Sequence, residues 1–149
     1  MKPKALICDL DGSLCDIEHR RPYLEEKPKN WKKFNELMGQ DTPNFKVARA
    51  VSAFFQAGYQ VIFVTGRMET HRVETTKWMR KWFPAFSDFP ILMRKAQDFR
   101  DDAIVKKEIY EETIEPRFDV QLVLDDRKKV VEMWRALGLE CWALAHGDY

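Results

Sequence analysis

The length, composition and charge of the chain limit its class before any motif is considered. Its 149 residues, 45% of them hydrophobic, can form a single domain over 1–149 with one full core, and they leave no room for a second independent domain. Lysines and arginines number 25 against 24 acidic residues, so no global charge directs the protein to nucleic acid or to a membrane. Any such attraction must come from local basic segments, such as 19–33 and 67–81.

Five strand-like apolar runs alternate with helical patterns along the chain. Several runs are rich in valine and isoleucine and continuous, as in parallel strands that are buried on both faces. This order predicts an α/β fold with a Rossmann-like, doubly wound parallel sheet. The predicted strands are 5–8, 60–64, 91–93, 120–124 and 141–145.

Capping and breaking residues set the limits of the predicted helices. One helix is expected to begin with Thr42 as N-cap and Pro43 in its first turn, and to end at Gly58. A second runs from about Asp102 to Pro116, and a third ends before position 138. These helices fit the crossovers that a parallel sheet requires.

The first crossover, about 15–42, is longer than one helix needs. It is polar and lysine-rich, and Asn30 is expected to cap a short helix that ends at Gly39. Because it directly follows the first strand, this insertion would lie over the strand ends, where lids and specificity loops are common. The alternative is a surface excursion that packs its own aromatic residues.

The motif Asp9-Leu10-Asp11-Gly12-Ser13 follows the first buried strand. Carboxylates two residues apart point the same way along a strand, at the edge where α/β sheets bind ligands. Burying two carboxylates is costly unless a hard cation such as Mg²⁺ neutralises them. The alternative is an ordinary Asp-Gly turn.

Three further positions carry polar groups in similar contexts. The Thr-Gly-Arg segment 65–67 ends a strand with groups that bind oxyanions, although alone it is also a common strand-to-helix turn. Lys106 lies near a helix start, where its ammonium could join helix N–H groups around a phosphate, or remain solvated. The Asp-Asp-Arg segment 125–127 ends another strand with an acidic pair, for which the alternative is a helix N-cap aspartate, and Asp126 could serve in both roles.

Together, these four motifs resemble those of the haloacid dehalogenase superfamily of phosphotransferases. The resemblance covers the whole chain and implies a sheet of about five strands in the order 5-4-1-2-3, with the strands of Asp9 and Asp126 adjacent. It implies that Asp9 is the nucleophile, which forms an aspartyl phosphate, and that Asp11 is the general acid/base. The implied reaction is phosphate ester hydrolysis.

The same resemblance implies the remaining roles. Thr65, Gly66 and Lys106 would hold the transferring phosphoryl oxygens. The implied Mg²⁺ ligands are Asp9, Asp11 through its carbonyl, and Asp126, with Asp125 binding either directly or through water.

Several segments are more specifically similar to the 3′-phosphatase domains of phage polynucleotide kinase/phosphatases. They are Arg20-Arg21-Pro22-Tyr23 and the stretches 131–135 and 140–142. This similarity implies removal of a 3′-phosphate from a DNA or RNA end and gives Arg20, Arg67 and Arg127 substrate-binding roles. Tyr23 and Trp31 could stack a base, or they could pack within the insertion.

Two other functions remain open. One is a phosphatase of nucleotides or other small phosphomonoesters, and the other is a non-catalytic module that binds nucleic-acid ends. No glycine begins a Gly-x-x-x-x-Gly-Lys-Ser/Thr loop, so kinase activity is not expected from this sequence, and a separate kinase or ligase is the expected partner in end repair.

The cysteines and the lack of a long apolar run indicate where in the cell the protein is expected. Cys8, Cys15 and Cys141 form no Cys-x-x-Cys pair and are odd in number, which is typical of a reducing compartment. No signal-peptide pattern or membrane-spanning apolar run occurs. We therefore expect a cytoplasmic protein with no membrane partner.

Overall fold

A parallel sheet of five strands forms the centre of the molecule in the computed structural model, which describes residues 1–147. Its order is β5-β4-β1-β6-β7, with β1 hydrogen-bonded between β4 and β6. The strand count, the order and the adjacency of the Asp9 and Asp126 strands therefore confirm the predicted α/β architecture. The strands of this sheet are β1 (Lys4–Cys8), β4 (Gln60–Met68), β5 (Ile91–Arg94), β6 (Asp119–Arg127) and β7 (Cys141–Gly147), and a separate pair is formed by β2 (Cys15–Asp16) and β3 (Thr42–Pro43).

Helices cover both faces of the sheet. They are α1 (Pro22–Glu25), α2 (Trp31–Glu36), α3 (Phe45–Gln56), α4 (Arg72–Trp82), α5 (Asp102–Ile109) and α6 (Lys128–Ala136). Alternate residues of β1 face opposite cores: Leu6 packs with residues of α3 and α4, whereas Ile7 packs with residues of α6. This two-sided burial explains the continuous apolar run of β1.

The helix after the insertion begins later than predicted. Thr42 and Pro43 pair with Asp16 and Cys15 in the small sheet instead of opening α3. The N-cap is Asn44, whose side chain accepts hydrogen bonds from the backbone N–H groups of residues 46 and 47. The expected capping role of Thr42 is therefore wrong, because an asparagine two residues later satisfies the free N–H groups.

The other predicted helices lie close to their expected limits. Asn30 caps α2 by accepting from the backbone N–H of Lys33, as predicted. The helix that begins at Asp102 continues beyond α5 as a π-helical turn, Tyr110–Ile114, and ends before Pro116. The helix α6 ends before Gly138, whose positive φ suits a helix C-terminus.

Two strands extend through their motifs. The predicted limits were 64 and 124, but β4 includes Thr65-Gly66-Arg67 and β6 includes Asp125-Asp126-Arg127. Pairing with β5 and β7 resumes after a register shift in each case. The motif residues are thus held by the sheet itself.

The insertion contributes to the core. Its apolar residues Leu24, Phe34 and Met38 are buried, and Arg20 and Asp41 point inward with no exposed side-chain area. A role as a lid stays a prediction. Across residues 1–147, the structure has no helix that is both long and apolar enough to cross a membrane.

Candidate active site

The predicted site residues converge at the edge of the sheet where the parallel strands end. Cys8 lies level with Phe63 of β4 and Leu124 of β6, so Asp9 emerges between the two other strand-end motifs. Its backbone N–H donates to the carbonyl of Leu124 at 2.9 Å, which keeps this residue in the plane of the sheet. Lys106 reaches the same point from α5.

Asp9 is buried and both of its carboxylate oxygens accept hydrogen bonds. Oδ1 accepts from Nζ of Lys106 at 2.8 Å, and Oδ2 accepts from Oγ of Ser13 at 2.9 Å. Burial, and next the negative charge of Asp125, raise the pKa of Asp9, while Lys106 opposes this shift. The carboxylate is therefore fixed in orientation at the centre of the site.

Lys106 is buried between two carboxylates. Its Nζ also donates to Oδ2 of Asp125 at 3.0 Å. Burial alone would lower the pKa of Lys106, but the charges of Asp125 and Asp9 outweigh it and raise the pKa well above the usual value. The side chain is an ammonium at neutral pH, whereas the adjacent Lys107 is exposed.

Asp9, Asp125 and Asp126 each offer a carboxylate oxygen within 4.8 Å of the others, and all three residues are buried. We call these residues and Lys106 the acidic cluster. Lys106 donates to two of these three carboxylates, those of Asp9 and Asp125. Carboxylate oxygens are ligands that Mg²⁺ prefers. The donor set of this chain therefore fits a divalent cation.

The indole of Trp134 supports the acidic cluster from α6. Its Nε1 donates to Oδ2 of Asp125 at 3.1 Å, and the backbone N–H of Asp126 donates to Oδ1 of Asp125 at 2.8 Å. Trp134 was not predicted as a site residue from the sequence. Its spacing on α6 gives no sign of this polar contact.

Asp11 is held by the two arginines that the sequence assigned to substrate binding. Its Oδ1 accepts from Nη2 of Arg20 at 2.7 Å and from Nη2 of Arg67 at 2.6 Å. Burial would raise the pKa of Asp11, but the charges of Arg67 and Arg20 outweigh it and hold the pKa well below its usual range. Arg20 and Arg67 are nearly inaccessible to solvent, and their binding to substrate stays a prediction.

Asp41 connects the same two arginines and was missed by sequence reasoning. Its fully buried carboxylate accepts from Nε and Nη2 of Arg20 at 2.8 and 2.7 Å, and from Nη2 of Arg67 at 3.2 Å. Nε2 of His19 lies 2.7 Å from Oδ1 of Asp41. We call Asp11, Arg20, Asp41 and Arg67 the arginine network. A single aspartate before Thr-Pro resembles a turn residue, so no sequence signal marked it.

Thr65 and Gly66 lie at the end of β4, next to the arginine network. Oγ1 of Thr65 accepts from the backbone N–H of Arg67 at 3.2 Å. A Cβ on Gly66 would lie 2.2 Å from Oδ1 of Asp102, so only glycine allows this approach.

Asp102 binds two arginines, one at the end of β5 and one at the end of β6, which are separated in the sheet by β4 and β1. It accepts from Nη2 of Arg94, and Nη1 of Arg127 donates to its Oδ2 at 2.7 Å. Arg127, predicted to bind substrate, thus contacts a carboxylate of this edge. The contact between Arg94 and Asp102 was not predicted, because the two residues belong to different elements.

Comparison with known proteins identifies the family. Residues 3–149 match the family described as "Polynucleotide kinase PNKP phosphatase domain". The chain belongs to this PNKP phosphatase-domain family. This confirms the predicted relation to haloacid dehalogenase phosphatases and to polynucleotide kinase/phosphatases.

Relatives of this PNKP phosphatase domain are longer proteins. A "Putative bifunctional polynucleotide kinase/RNA ligase" of Autographa californica nuclear polyhedrosis virus is 29% identical over 136 residues, which cover 91% of this chain and 18% of the viral protein. A solved structure, "Structure of the Pnkp1/Rnl/Hen1 RNA repair complex", matches at 37% identity and a TM-score of 0.84, covering 99% of this chain and 44% of that one. The chain therefore spans less than half of each of these relatives.

A more distant solved structure shares the fold. The class C acid phosphatase from Bacillus anthracis, solved with tungstate bound, has a TM-score of 0.71 at 15% identity, covering 100% of this chain and 69% of that one. This likeness shows that the PNKP phosphatase domain has the sheet architecture of that phosphatase.

Proposed function

We propose that the protein is a Mg²⁺-dependent phosphohydrolase that removes the 3′-phosphate from a DNA or RNA end. The observation that carries this proposal is the placement of Asp9, which is buried and held by Lys106 and Ser13 beside a second carboxylate, Asp11. Membership of the PNKP phosphatase-domain family supports a nucleic-acid end as the substrate.

In the proposed reaction, a carboxylate oxygen of Asp9 attacks phosphorus and forms an aspartyl phosphate. The bond from phosphorus to the 3′-oxygen breaks, and Asp11 supplies the proton that this oxygen takes up. Asp11 then removes a proton from the water that hydrolyses the aspartyl phosphate, so the products are a 3′-hydroxyl and inorganic phosphate. Lys106, Thr65 and the N–H of Gly66 bind the phosphoryl oxygens.

Asp9, Asp125, Asp126 and the carbonyl of Asp11 would hold Mg²⁺, which when bound offsets the repulsion between carboxylates and phosphate. Arg20 and Arg67 hold the Asp11 carboxylate in place and keep its pKa well below the usual range, so it is ionised before substrate arrives. Asp11 must gain a proton before it can act as an acid. Proton uptake therefore requires that Arg20 and Arg67 weaken their contacts with it, and an incoming phosphate is the competing anion.

The relatives support a role in nucleic-acid repair with separate partner activities. The viral relative combines a polynucleotide kinase with an RNA ligase, and the solved Pnkp1 structure is an RNA repair complex. A 3′-hydroxyl is the end that a ligase needs, so we propose a kinase or ligase as the partner of this protein.

The test measures phosphate release with Mg²⁺ or with EDTA. The substrates are a 3′-phosphorylated oligonucleotide, the same sequence phosphorylated at its 5′ end, and mononucleotides. We expect release from the first substrate only, and a loss of at least about 10³-fold in Asp9→Asn. Asp88→Asn, at an exposed aspartate outside the site, is the matched control.

Two results would contradict the proposal. Preference for mononucleotides would favour a phosphatase of small phosphomonoesters. Full activity of Asp9→Asn would exclude Asp9 as the nucleophile.

A further inference from the structure

Phe99 is the most exposed aromatic side chain within residues 1–147, at 83%. The other strongly exposed rings pack against aromatic neighbours; for example, the ring centroids of Phe55 and Phe89 are 4.9 Å apart. Across residues 1–147, no second ring packs against Phe99. The ring therefore presents an open face to solvent.

The loop that carries Phe99 is held in place by hydrogen bonds from the side chain of Arg94. Nη1 of the buried Arg94 donates to the carbonyl of Asp98 at 3.0 Å and also to the carbonyl of Arg100. The side chain of Arg100 pairs with Asp98 at 2.8 Å and with Glu108 at 2.8 Å. Both neighbours of Phe99 are therefore anchored, so an exposed ring is presented on a fixed backbone.

The same arginine joins this loop to the catalytic edge. Nε of Arg94 donates to the carbonyl of Gly66 at 2.8 Å, and its Nη2 donates to Asp102. Asp102 lies one helical turn before Lys106, which donates to Asp9 at 2.8 Å. Phe99 thus lies three residues before the helix that delivers Lys106 to the phosphate site.

We infer that Phe99 is a stacking platform for the nucleobase of the terminal nucleotide whose 3′-phosphate enters the site. This inference rests on the proposed function and deepens it. A single planar ring is far smaller than a protein interface but matches the face of one base. Stacking tolerates any base, which suits an enzyme that acts on ends of many sequences.

The platform also distinguishes nucleic-acid ends from small phosphomonoesters. A phosphate ester without a base gains nothing from Phe99, whereas a nucleotide gains the stacking free energy in addition to its phosphate contacts. We expect this gain in kcat/KM, since the ring does not contact the reacting atoms.

The test compares two oligonucleotides that differ only at the 3′-phosphorylated terminal nucleotide, which either carries its base or is abasic. Phe99→Ala should lower kcat/KM about 5- to 30-fold with the base present and leave the abasic substrate unchanged. Phe99→Trp should retain activity on both. Phe55→Ala is the matched control, because Phe55 is also an exposed phenylalanine, at 49%. It lies at the C-terminal end of α3, just before the start of β4, whereas the predicted site lies where the strands end.

A binding measurement separates failure of this inference from failure of the proposed reaction. With 2-aminopurine as the terminal base, binding to Asp9→Asn should quench its fluorescence, and adding Phe99→Ala should remove the quenching. Equal kcat/KM losses on both oligonucleotides, or no loss on either, would overturn the stacking role even where wild type releases phosphate. If wild type released no phosphate from either oligonucleotide, the proposed function and this inference would both fail.

Discussion

The acidic cluster and the arginine network lie side by side at one edge of the sheet, but they balance charge differently. The acidic cluster sets three carboxylates against one ammonium, and the arginine network sets two carboxylates against two guanidiniums. The first group is left with negative charge that a cation can neutralise, whereas the second is neutral and internally hydrogen-bonded. One group is thus suited to receive ligands and the other to hold Asp11 in position.

Among the tests of this comparison, the largest effect is expected at Asp11, the member of the arginine network that lies two residues after Asp9 in the sequence. Asp11→Asn should lower turnover about 10²- to 10⁴-fold, because an amide cannot transfer the proton. Mg²⁺ affinity, measured by titration calorimetry, should be retained because the backbone carbonyl remains. A complete loss of Mg²⁺ binding would instead place the Asp11 side chain among the metal ligands.

Substitution of Lys106 tests whether the acidic cluster is needed for phosphate release. Lys106→Ala removes the only ammonium that faces Asp9 and Asp125 in the described part of the chain, so phosphate release should fall about 10²- to 10³-fold. The exposed neighbour provides the control, and Lys107→Ala should leave the rate nearly unchanged. Similar losses in both variants would show that the wrong lysine has been assigned.

Asp41 tests the arginine network. Asp41→Asn leaves two buried guanidiniums with one carboxylate, and this should lower the free energy of unfolding by about 3–5 kcal/mol. Urea denaturation measures the change, with Asp16→Asn as a control at an exposed aspartate of the same insertion. A change below about 1 kcal/mol would mean that the network does not depend on Asp41.

The smallest expected effect is the change in Tm on addition of Mg²⁺, which should depend on the acidic cluster and not on the arginine network. Saturating Mg²⁺ should raise the Tm of wild type by several degrees, because binding stabilises only the folded state. Asp126→Asn should lose most of this shift, while Asp41→Asn should keep it despite a lower starting Tm. An unchanged shift in Asp126→Asn would exclude Asp126 as a ligand.

The acidic cluster was largely predictable and the arginine network was not. Asp9, Asp125 and Asp126 each follow a recognisable buried strand, so the geometry of a parallel sheet brings them together. Asp41 belongs to an irregular insertion, where the sequence does not determine which polar residue turns inward. The sequence did supply Arg20 and Arg67, but not their shared contact with Asp41.

The aromatic residues show a similar limit. Sequence reasoning considered Tyr23 and Trp31 for stacking, yet Tyr23 packs on the core and Trp31 packs edge-on against Phe34. Phe99 carries no sequence signal, because its exposure depends on a loop held by contacts from other strands. Exposure of a single ring is a tertiary property that local pattern does not predict.

Arg94 connects two parts of the molecule, the end of β4 at Gly66 and the loop that carries Phe99. Its guanidinium donates to Gly66, to the carbonyls on both sides of Phe99 and to Asp102. A lysine, whose single nitrogen cannot span these acceptors, would release the end of β4 at Gly66, which we propose binds phosphate, and the Phe99 loop at once. In the stacking role that we infer, exchanging the ring at position 99 would change selectivity for the leaving nucleotide without disturbing the contacts of Arg94, whereas exchange at position 94 would alter the proposed reaction and the selectivity together.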